Sequence, residues 1–390
     1  MNMKKYKLGD LLSEFHAGKA IQTENIKNEG AYPVYGGNGQ RGYTDSYNQD
    51  GEYLIIGRQG AYCGNVRYNI GKAYLTEHAI VGQTREYHNP IYIALKLSLM
   101  KLSQLQGQSA QPGLSVNTLS CISMEMPPKE IQDKIADIML KLDRKIELNR
   151  QINDNLEAMA KQLYDYWFVQ FDFPNDEGKP YKSSGGAMVW NEKLKREIPQ
   201  GWGTQNLADC LKLKTERVNS KDIKDTDNYT PIEVIPRKQM SLHETVALEN
   251  AMSGICRYSR RNILLSNRRV YFHKVCIAPF DGLTRDTVLV LEPYNSGNLG
   301  YLYETVFADE FILFATKHSY GSEQPVLSWT AAQKFNVLRP SNSIDKKYSE
   351  IVDSIIESVL NNQIEIIKLT KQRDELLPLL MNGQATVNSN

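Results

Sequence analysis

Two long stretches of the chain contain neither glycine nor proline, and they limit the possible folds more than any other feature of the sequence. One runs for 45 residues from Lys129 to Phe173, and the other for 37 residues from Ser341 to Leu377. Because these residue types interrupt helices, both stretches predict long helices. Pro128 and Pro340 precede them at positions suited to a helix start. A helix from Ile131 to Tyr166 would be about 54 Å long, so it needs an equally long packing partner.

The two stretches are related by an internal repeat. A shift of 213 residues superposes Pro127 on Pro340 and Asn149 on Asn362 without a gap. A weaker match pairs LGDLL, residues 8–12, with LADCL, residues 207–211. The sequence therefore predicts a duplicated unit, in which a globular part is followed by a long helix.

Apolar residues within both stretches recur in steps of four and three, which predicts a coiled-coil seam. The predicted seam of the first helix contains Ile131, Ile135, Ile138, Leu142, Ile152, Leu156, Met159 and Leu163, interrupted by Lys145 and Asn149. That of the second contains Ile351, Ile355, Val359, Ile366, Leu369 and Leu376, with Asn362 among them. Asn149 and Asn362 fit a polar layer that fixes the register of the coiled coil. The alternative that both face solvent stays open at this point.

The expected fold class is α+β. We expect two globular mixed α/β domains, separated by two long helices that form an intramolecular antiparallel coiled coil with a pseudo-twofold internal repeat. The predicted boundaries are 1–126 and 202–339 for the globular domains, 127–173 and 340–383 for the helices, 174–201 for a connector and 384–390 for a tail. Predicted strands include EYLIIG at 52–57, YFHKVCIA at 271–278 and TVLVLE at 287–292.

Common catalytic signatures are absent from the sequence, including a Walker lysine loop, a G-x-G-x-x-G turn, an H-E-x-x-H pair and a G-x-S-x-G elbow. The motif search therefore identifies no catalytic, metal-binding or cofactor-binding residue. PNDEGK, residues 174–179, superficially resembles part of a metal-dependent nuclease, but a solvated charge run in the connector is the favoured interpretation. His273, Cys256 and Cys276 are only three scattered candidate ligands, which do not make a metal site, so core packing of His273 is expected.

The composition predicts a cytoplasmic protein. No stretch approaches 18 uncharged apolar residues, and the N-terminal segment lacks an apolar signal core. The five cysteines are widely spaced and odd in number, as expected of reduced thiols rather than a disulfide framework. With 46 basic and 45 acidic residues, the formal net charge is +1, so nonspecific affinity for nucleic acid should be modest.

Positive charge is nevertheless concentrated in two places. Between Glu249 and Asp281 the basic residues are Arg257, Arg260, Arg261, Arg268, Arg269 and Lys274, and no acidic residue separates them. A milder cluster of Arg58, Arg67 and Lys72 follows the glycine-rich segment VYGGNGQRGY, residues 34–43. Arginine forks match phosphate oxygens and the guanine edge, and glycines allow close backbone approach. Both segments favour nucleic-acid binding, although a plain glycine-rich hairpin and surface ion pairs remain alternatives.

Several segments together resemble one family, the specificity subunits of type I restriction-modification systems. They are the paired heads LGDLL and IPQGWGTQNLADCL, the segments YPVYGGNGQRGY and IGRQGAYCGNV, the connector GKPYKSSGG, the helix end LEAMAKQLYDYWFVQF and the closing RDELLPLLMNG. They cover nearly the whole chain. The resemblance implies that the globular parts are target-recognition domains, each of which reads one half of a bipartite, asymmetric DNA target, and that the coiled coil sets the spacing.

The resemblance also implies that this chain is not an enzyme and binds no metal or cofactor itself, and it implies the partners. These are double-stranded DNA, two modification subunits that methylate adenine N6 from S-adenosylmethionine, and two motor and endonuclease subunits that use ATP and Mg²⁺, with no membrane involved. The modification subunits would dock on the long helices. Candidate contacts for them are Tyr164, Tyr166, Trp167 and Phe168, with packing inside the chain as the alternative.

The predicted DNA-binding residues come partly from the resemblance and partly from charge. The resemblance places the first domain's recognition loops at residues 36–43 and 58–63, and for the second domain we rely on the basic clusters. The candidates are Gly36, Gly37, Asn38, Gln40, Arg41, Tyr43, Arg58, Gln59, Arg67, Arg257, Arg260, Arg261, Arg268, Arg269, Lys317, His318 and Ser319. The main alternative function is a coiled-coil scaffold that binds proteins and has no sequence-specific affinity for DNA.

Overall fold

The structure of the protein is a computed structural model that describes residues 3–60, 62–106, 113–219, 223–224, 228–247 and 254–385. The chain forms two compact units. The N-terminal unit comprises Met1–Arg144 and Thr370–Asn390, and the central unit comprises Lys145–Leu369. Each unit therefore contains one globular part together with portions of both long helices. From residue 386 onward, the predicted tail lies outside the described residues.

The N-terminal unit is built from small sheets and short helices that precede a long helix. Its helices are α1 (Leu8–Leu11), α2 (Pro90–Ser98), α3 (Val116–Ser120) and the first part of α4 (Lys129–Tyr164). Its strands are β1 (Lys4–Lys7), β2 (Leu12–Ala17), β3 (Tyr32–Gly36), β4 (Gly39–Thr44), β5 (Glu52–Gly57), β6 (Val66–Ile70), β7 (Tyr74–Leu75), β8 (Ala79–Thr84) and β9 (Ser123–Met126). The sheets have the orders β2-β8-β5-β6, β4-β3-β7 and β1-β9, and only β3 and β7 pair in parallel.

The central unit has the same kind of architecture. Its strands are β10 (Met188–Asn191), β11 (Arg196–Pro199), β12 (Gly203–Asn206), β13 (Leu211–Leu213), β14 (Tyr229–Thr230), β15 (Ile255–Tyr258), β16 (Ile263–Ser266), β17 (Val275–Ile277), β18 (Gly282–Arg285), β19 (Val288–Pro293) and β20 (Asn336–Arg339). Its helices are the end of α4, α5 (Leu299–Phe307), α6 (Asp309–Lys317), α7 (Trp329–Ala332) and most of α8 (Asn342–Met381). The sheets have the orders β13-β19-β16-β17, β14-β18-β15, β12-β20 and β10-β11.

One topology occurs in both units. The sheet β2-β8-β5-β6 corresponds to β13-β19-β16-β17, and the pair β1-β9 corresponds to β12-β20. Each unit also has a smaller sheet with one parallel pair, β3 with β7 and β14 with β18. The repetition of sheet topology agrees with the duplication that the sequence predicts.

Nearly continuous apolar sequence explains why β5 and β16 lie at the centre of their sheets. Leu54 and Ile56 on β5 are fully buried and share a core cluster with Ile91 and Tyr92 of α2. On β16 all four residues are buried. Strands covered on both faces need such sequences, because each buried aliphatic side chain contributes about 1.5–3 kcal/mol. These strands provide a rigid base for the loops that follow them.

Two of the three named strand predictions are confirmed. Residues 52–57 form β5, and the predicted strand at 287–292 is β19. The prediction of one strand over 271–278 is wrong, because a 3₁₀ turn at Val270–Phe272 precedes the short β17. Arg269 and His273 flank this turn with φ angles of 47° and 55°, which an extended strand does not allow.

Both predicted long helices are present, with slightly different ends. α4 has 36 residues and α8 has 40. A π-helical turn at Asp165–Val169 follows α4, so the α-helix ends nine residues before the predicted limit at 173. Among the described residues, no helix is both long and apolar enough to cross a membrane.

Two of the eight residues in the predicted seam of α4, Ile152 and Met159, are wrongly assigned. The alternate positions Ile135, Leu142, Asn149, Leu156 and Leu163 are buried or half-buried, as predicted. Between them the buried residues are Met139, Ile146, Asn153 and Ala160, whereas the predicted Ile131 and Ile138 are half-buried against the core of the N-terminal unit. Ile152 and Met159 are 38% and 56% exposed. The helix carries apolar residues on both flanks of the shared positions, so hydrophobicity alone does not identify the buried flank. Ile351 on α8, which is 45% exposed, is also wrongly assigned to a seam.

Polar contacts join α4 to α8 within the central unit. The side-chain amide of Asn149 donates to Glu365 Oε2 at 2.7 Å, and that of Asn362 donates to Asn153 Oδ1 at 3.0 Å. Asn153 also donates to the carbonyl of Val359 at 3.3 Å. Later residues of α4 thus contact earlier residues of α8, which makes this helix pair antiparallel. Asn149 is only 2% exposed, so the alternative that it faces solvent is excluded.

The aromatic residues at the end of α4 pack inside the central unit. Trp167 and Phe168 are 5% and 1% exposed, and the Phe168 ring lies 4.7 Å from Tyr301 and 4.8 Å from Tyr348. For these two predicted partner contacts the intrachain alternative is therefore correct. Tyr166 is 38% exposed.

The core of the central unit also contains a carboxyl group, that of Glu304 on α5. The residue is 3% exposed, and burial raises its pKa to about 8. Lys161 opposes this shift, whereas Asp165 and Glu157 add to it. Because the ordinary pKa is 4.5, the unfolded chain loses this proton first, and the free energy of unfolding falls between about pH 4.5 and pH 8.

We expect Glu304→Gln to stabilise the protein at alkaline pH. At pH 5 the substitution should change little, and at pH 8.5 it should raise the free energy of unfolding by up to roughly 5 kcal/mol. Thermal unfolding of the full chain at both pH values measures the effect. Glu310→Gln, at an exposed position on α6, is the control. An equal response of both variants to pH would contradict the assignment.

Candidate nucleic-acid interface

The predicted glycine-rich segment of the N-terminal unit forms the hairpin of β3 and β4. Gly36 pairs with Gly39 at its tip, and Asn38 is exposed there. Arg67 on β6 lies over this tip, and its Nη2 donates to the Asn38 carbonyl at 3.2 Å. Gly39 has a φ of 104°, and a Cβ there would stand 1.8 Å from the Arg67 guanidinium. Glycine at position 39 thus allows the positive φ of the turn and leaves room for the Arg67 side chain.

The loop after β5 meets the hairpin tip. A Cβ on Gly57 would lie 2.6 Å from the carbonyl oxygens of both Gly37 and Tyr62, and one on Gly37 would lie 3.2 Å from the Gln59 carbonyl. Two predicted segments that are separate in sequence, residues 36–43 and 58–63, are therefore adjacent at backbone level. Of the second, residue 61 lies outside the described residues. The close approach explains why residues 37 and 57 are glycines.

Not every predicted residue of this segment lies at the tip. Arg41 and Gln40 are exposed on β4, and Arg41 Cδ would be 2.9 Å from a Cβ on Gly36. Tyr43 lies further along β4, where its backbone exchanges two hydrogen bonds with Lys27. Arg58 is half-buried and its amide donates to the His78 carbonyl.

Sequence reasoning missed His78, which lies beside the loop after β5. Its Nδ1 is 3.2 Å from Gln59 Oε1, and its Nε2 is 3.3 Å from Glu77. The residue belongs to the short turn between β7 and β8, and no local motif marks it. The pairing of β3 with β7 and of β5 with β8 brings this turn to the hairpin and to the loop after β5.

In the central unit, Arg268 and Arg269 lie in the loop after β16. Arg268 is exposed and forms a bridge with Val326, which in turn pairs with Tyr320. The Arg269 amide donates to the Pro325 carbonyl at 2.9 Å. The segment 320–326 thus connects this loop to the end of α6, where the other predicted residues lie.

The predicted cluster at 317–319 has mixed surroundings. Lys317 is exposed, whereas the His318 ring stacks on Phe314 at 4.0 Å and its Nδ1 is 2.8 Å from the Phe314 carbonyl. Ser319 Oγ donates to the carbonyl of Ala315. Lys317 is therefore the member of this cluster whose charge is most open to solvent.

Arg260 and Arg261 contact helix α8 instead of lying open to solvent. Arg260 forms a two-pronged pair with Glu357 at 2.7 and 3.2 Å, and Arg261 contacts Glu357 at 2.5 Å and Asp353 at 2.7 Å. Hydrogen bonds from Arg260 hold the pKa of Glu357 below its ordinary value. Both guanidinium groups are thus engaged in ion pairs within the central unit, as the surface ion-pair alternative predicts. Arg257 lies 3.7 Å from Glu216.

The described part of the chain contains no group of three or more His, Cys, Asp or Glu residues that could hold a metal ion. The PNDEGK segment forms a tight turn, in which the Asn175 amide donates to the Lys179 carbonyl. His273 is buried, and its Nε2 lies 2.5 Å from the Phe307 carbonyl.

Comparison with known proteins shows the family of the chain. Residues 1–158 match the family model described as type I restriction modification DNA specificity domain. The EcoprrI specificity subunit of Escherichia coli is 42% identical over 144 residues, 36% of each chain. The MjaIX specificity subunit of Methanocaldococcus jannaschii is 26% identical over 88% of this chain and 84% of the relative. The chain belongs to the specificity subunits of type I restriction enzymes.

A solved structure supports the fold of this specificity subunit. The S subunit of a type I restriction-modification system from M. genitalium superposes with a TM-score of 0.63. The match covers 100% of this chain and 97% of that one, at 16% sequence identity. The structural match shows a shared fold. The family resemblance inferred from the sequence is confirmed by the family model and the relatives.

The close contact at Gly57 gives a prediction about this specificity subunit. In Gly57→Ala the new methyl group would meet two backbone oxygens, so the hairpin tip and the loop must separate. We expect at least a tenfold loss of sequence-specific DNA affinity, because positioned groups lose their geometry while no polar group is removed. Fluorescence anisotropy with the subunit in its complex measures this.

A matched control separates geometry from general effects of alanine. A Cβ on Gly51 would meet nothing within 4 Å, although its φ is 95°. Gly51→Ala should therefore keep its DNA affinity despite local backbone strain. Equal affinities for the two variants would show that the apposition of hairpin and loop is irrelevant to recognition.

Proposed function

We propose that this specificity subunit reads a bipartite, asymmetric DNA target, with the N-terminal unit reading one half and the central unit the other. The observation that carries the proposal is the repetition of one sheet topology with different side chains at the loops. The loop after β5 carries Arg58 and Gln59, whereas the loop after β16 carries Arg268 and Arg269. The shared sheet topology suits a similar approach of both units to the major groove. The different side chains at their loops suit different bases.

In this proposal the long helices set the distance between the two half-sites. α4 and α8 each contribute residues to both units, and their antiparallel contacts in the central unit include the polar pair of Asn362 and Asn153. A helix pair held in one register is a rigid spacer. Two readers on such a spacer would engage groove segments at a fixed separation, as dimeric DNA-binding proteins do.

The same helices would dock two adenine-N6 methyltransferase subunits. Leu148, Ile152 and Met159 are 52%, 38% and 56% exposed, and their spacing of four and seven residues places them on one face of α4. Exposed apolar residues that share a face are typical of interaction surfaces. The methyltransferases would bring S-adenosylmethionine, and two motor and endonuclease subunits would bring the ATP and Mg²⁺ chemistry. This chain would contribute recognition and no catalytic group.

The net charge of this chain supports different roles for the subunits of the complex in DNA binding. The formal net charge of the chain is +1. Because affinity for the phosphate backbone grows with the number of neutralised phosphates, a nearly neutral chain gains little from nonspecific contacts. We expect the partner subunits to supply most phosphate contacts, while the loops of this chain select the sequence.

The proposal is tested by mapping N6-methyladenine across the source genome, with the gene intact and with the gene deleted. We expect one bipartite, asymmetric motif to lose its methylation on deletion and to regain it on complementation. Purified complex should then bind that motif with a steep dependence on salt.

Two outcomes would reject the proposal. A complex that binds all DNA sequences equally would favour the protein-binding scaffold. Metal-dependent cleavage by the purified chain alone would restore the nuclease alternative.

A further inference from the structure

The loops after β5 and β16 are held in the same backbone frame. Gly57 at the end of β5 pairs with Ala79, and Ser266 at the end of β16 pairs with Val288. The next amide in each loop makes an equivalent hydrogen bond, from Arg58 to the His78 carbonyl at 2.9 Å and from Asn267 to the Thr287 carbonyl at 3.0 Å. Both acceptors immediately precede the partner strand, so the two loops start in the same register.

The correspondence continues through the following residue. Gln59 forms a bridge with Gly113, and Arg268 forms a bridge with Val326. The residue after each bridge partner also makes equivalent bonds, since the Leu114 amide donates to the Arg58 carbonyl and the Leu327 amide to the Asn267 carbonyl. Gln59 and Arg268 therefore occupy the same position in their respective units.

Backbone conformation gives an independent check of this alignment. Gly60, which follows Gln59, has a φ of 80°, and Arg269, which follows Arg268, has a φ of 47°. Positive φ is easy for glycine and uncommon for arginine. Both loops turn the same way at the same point, so the surrounding backbone contacts fix the positive φ. The central unit accepts backbone strain to keep an arginine at this position.

Side-chain chemistry differs at this shared position. Arg268 is exposed, and within the described residues its guanidinium forms no hydrogen bond or ion pair. Gln59 is half-buried, and its Oε1 lies 3.2 Å from His78 Nδ1, a contact that limits rotation of the amide. That oxygen has a second lone pair, and both N–H groups of the amide remain donors.

We propose that Gln59 and Arg268 are equivalent base-selecting residues, with Gln59 selecting an A·T pair in one half of the target and Arg268 a G·C pair in the other. The inference rests on the proposed bipartite function. A glutamine amide can accept from adenine N6 and donate to N7, whereas an arginine fork donates to guanine O6 and N7. One position thus determines one base pair in each half-site.

The test exchanges the two side chains in the full chain, in complex with its modification subunits. Gln59→Arg should replace one A·T pair of the first half-site by G·C, and Arg268→Gln should make the reverse change in the second. Arg268→Ala should relax that pair to all four bases, with an affinity loss of about ten- to hundredfold for the original target. Selection from a library of randomised double-stranded DNA, followed by sequencing, reports every position at once.

Controls use similar substitutions outside the loops. Arg339→Gln removes an exposed arginine from β20, and Gln22→Arg adds a charge to an exposed position of the N-terminal unit. Both should select the wild-type motif. The half-site opposite each loop variant should also keep its wild-type sequence, which shows that the variant is folded.

The outcomes separate this inference from the function on which it rests. An unchanged motif in Gln59→Arg, Arg268→Gln and Arg268→Ala overturns the inference while the bipartite function stands. Loss of both half-sites in these variants overturns it too, because an exposed base-selecting side chain affects only its own half. If the wild-type complex selects no bipartite motif, the proposed function itself fails.

Discussion

Pairing of α4 with α8 is the interaction on which the rest of the structure depends. The two helices come from different halves of the chain, and each completes the core of both units. Leu377, Leu380 and Met381 of α8 belong to the core of the N-terminal unit, although they lie at the end of the sequence. In the N-terminal unit Arg373 of α8 also contacts Asp143 of α4 at 3.1 Å. Neither globular part is therefore independent of the other half of the chain.

Ionic and polar contacts fix the sheets on these helices. In the N-terminal unit Tyr68 on β6 donates to Asp143 at 2.7 Å, so the strand that carries Arg67 is tied to α4. In the central unit Arg260 and Arg261 tie the turn between β15 and β16 to Glu357 on α8. Such half-buried, two-pronged arginine pairs have defined geometry, which suits an anchor better than a mobile contact. The loops after β5 and β16 follow directly from strands positioned in this way.

Much of this organisation could be predicted from the sequence, because it depends on patterns that repeat. The length of the helices follows from the absence of glycine and proline, and the duplicated topology follows from the repeat of 213 residues. The glycine-rich hairpin could also be located, since a residue such as Gly39 marks positive φ. The phase of the helix seam could not, because Ile152 and Met159 are as apolar as the residues that pack. Ala160 and Asn153 are buried instead.

The sequence also could not predict which arginines form ion pairs and which face solvent. Arg260, Arg261 and Arg268 belong to one basic run, yet two of them neutralise carboxylates on α8, a helix some 90 residues later, and one faces solvent. Contacts between such distant segments depend on tertiary structure, so composition does not reveal them. His78 was missed for the same reason, because only strand pairing brings it to Gln59.

The central claim, that the helix pair sets the spacing between two readers, is tested most directly by lengthening both helices. One extra heptad inserted after Arg144 in α4 and one after Leu369 in α8, where the two units divide, preserves the seam and adds about 10 Å. Mapping of N6-methyladenine in cells that express this variant should show both half-sites unchanged and the spacer longer by about three base pairs. An unchanged spacer, or altered half-site sequences, would contradict the account.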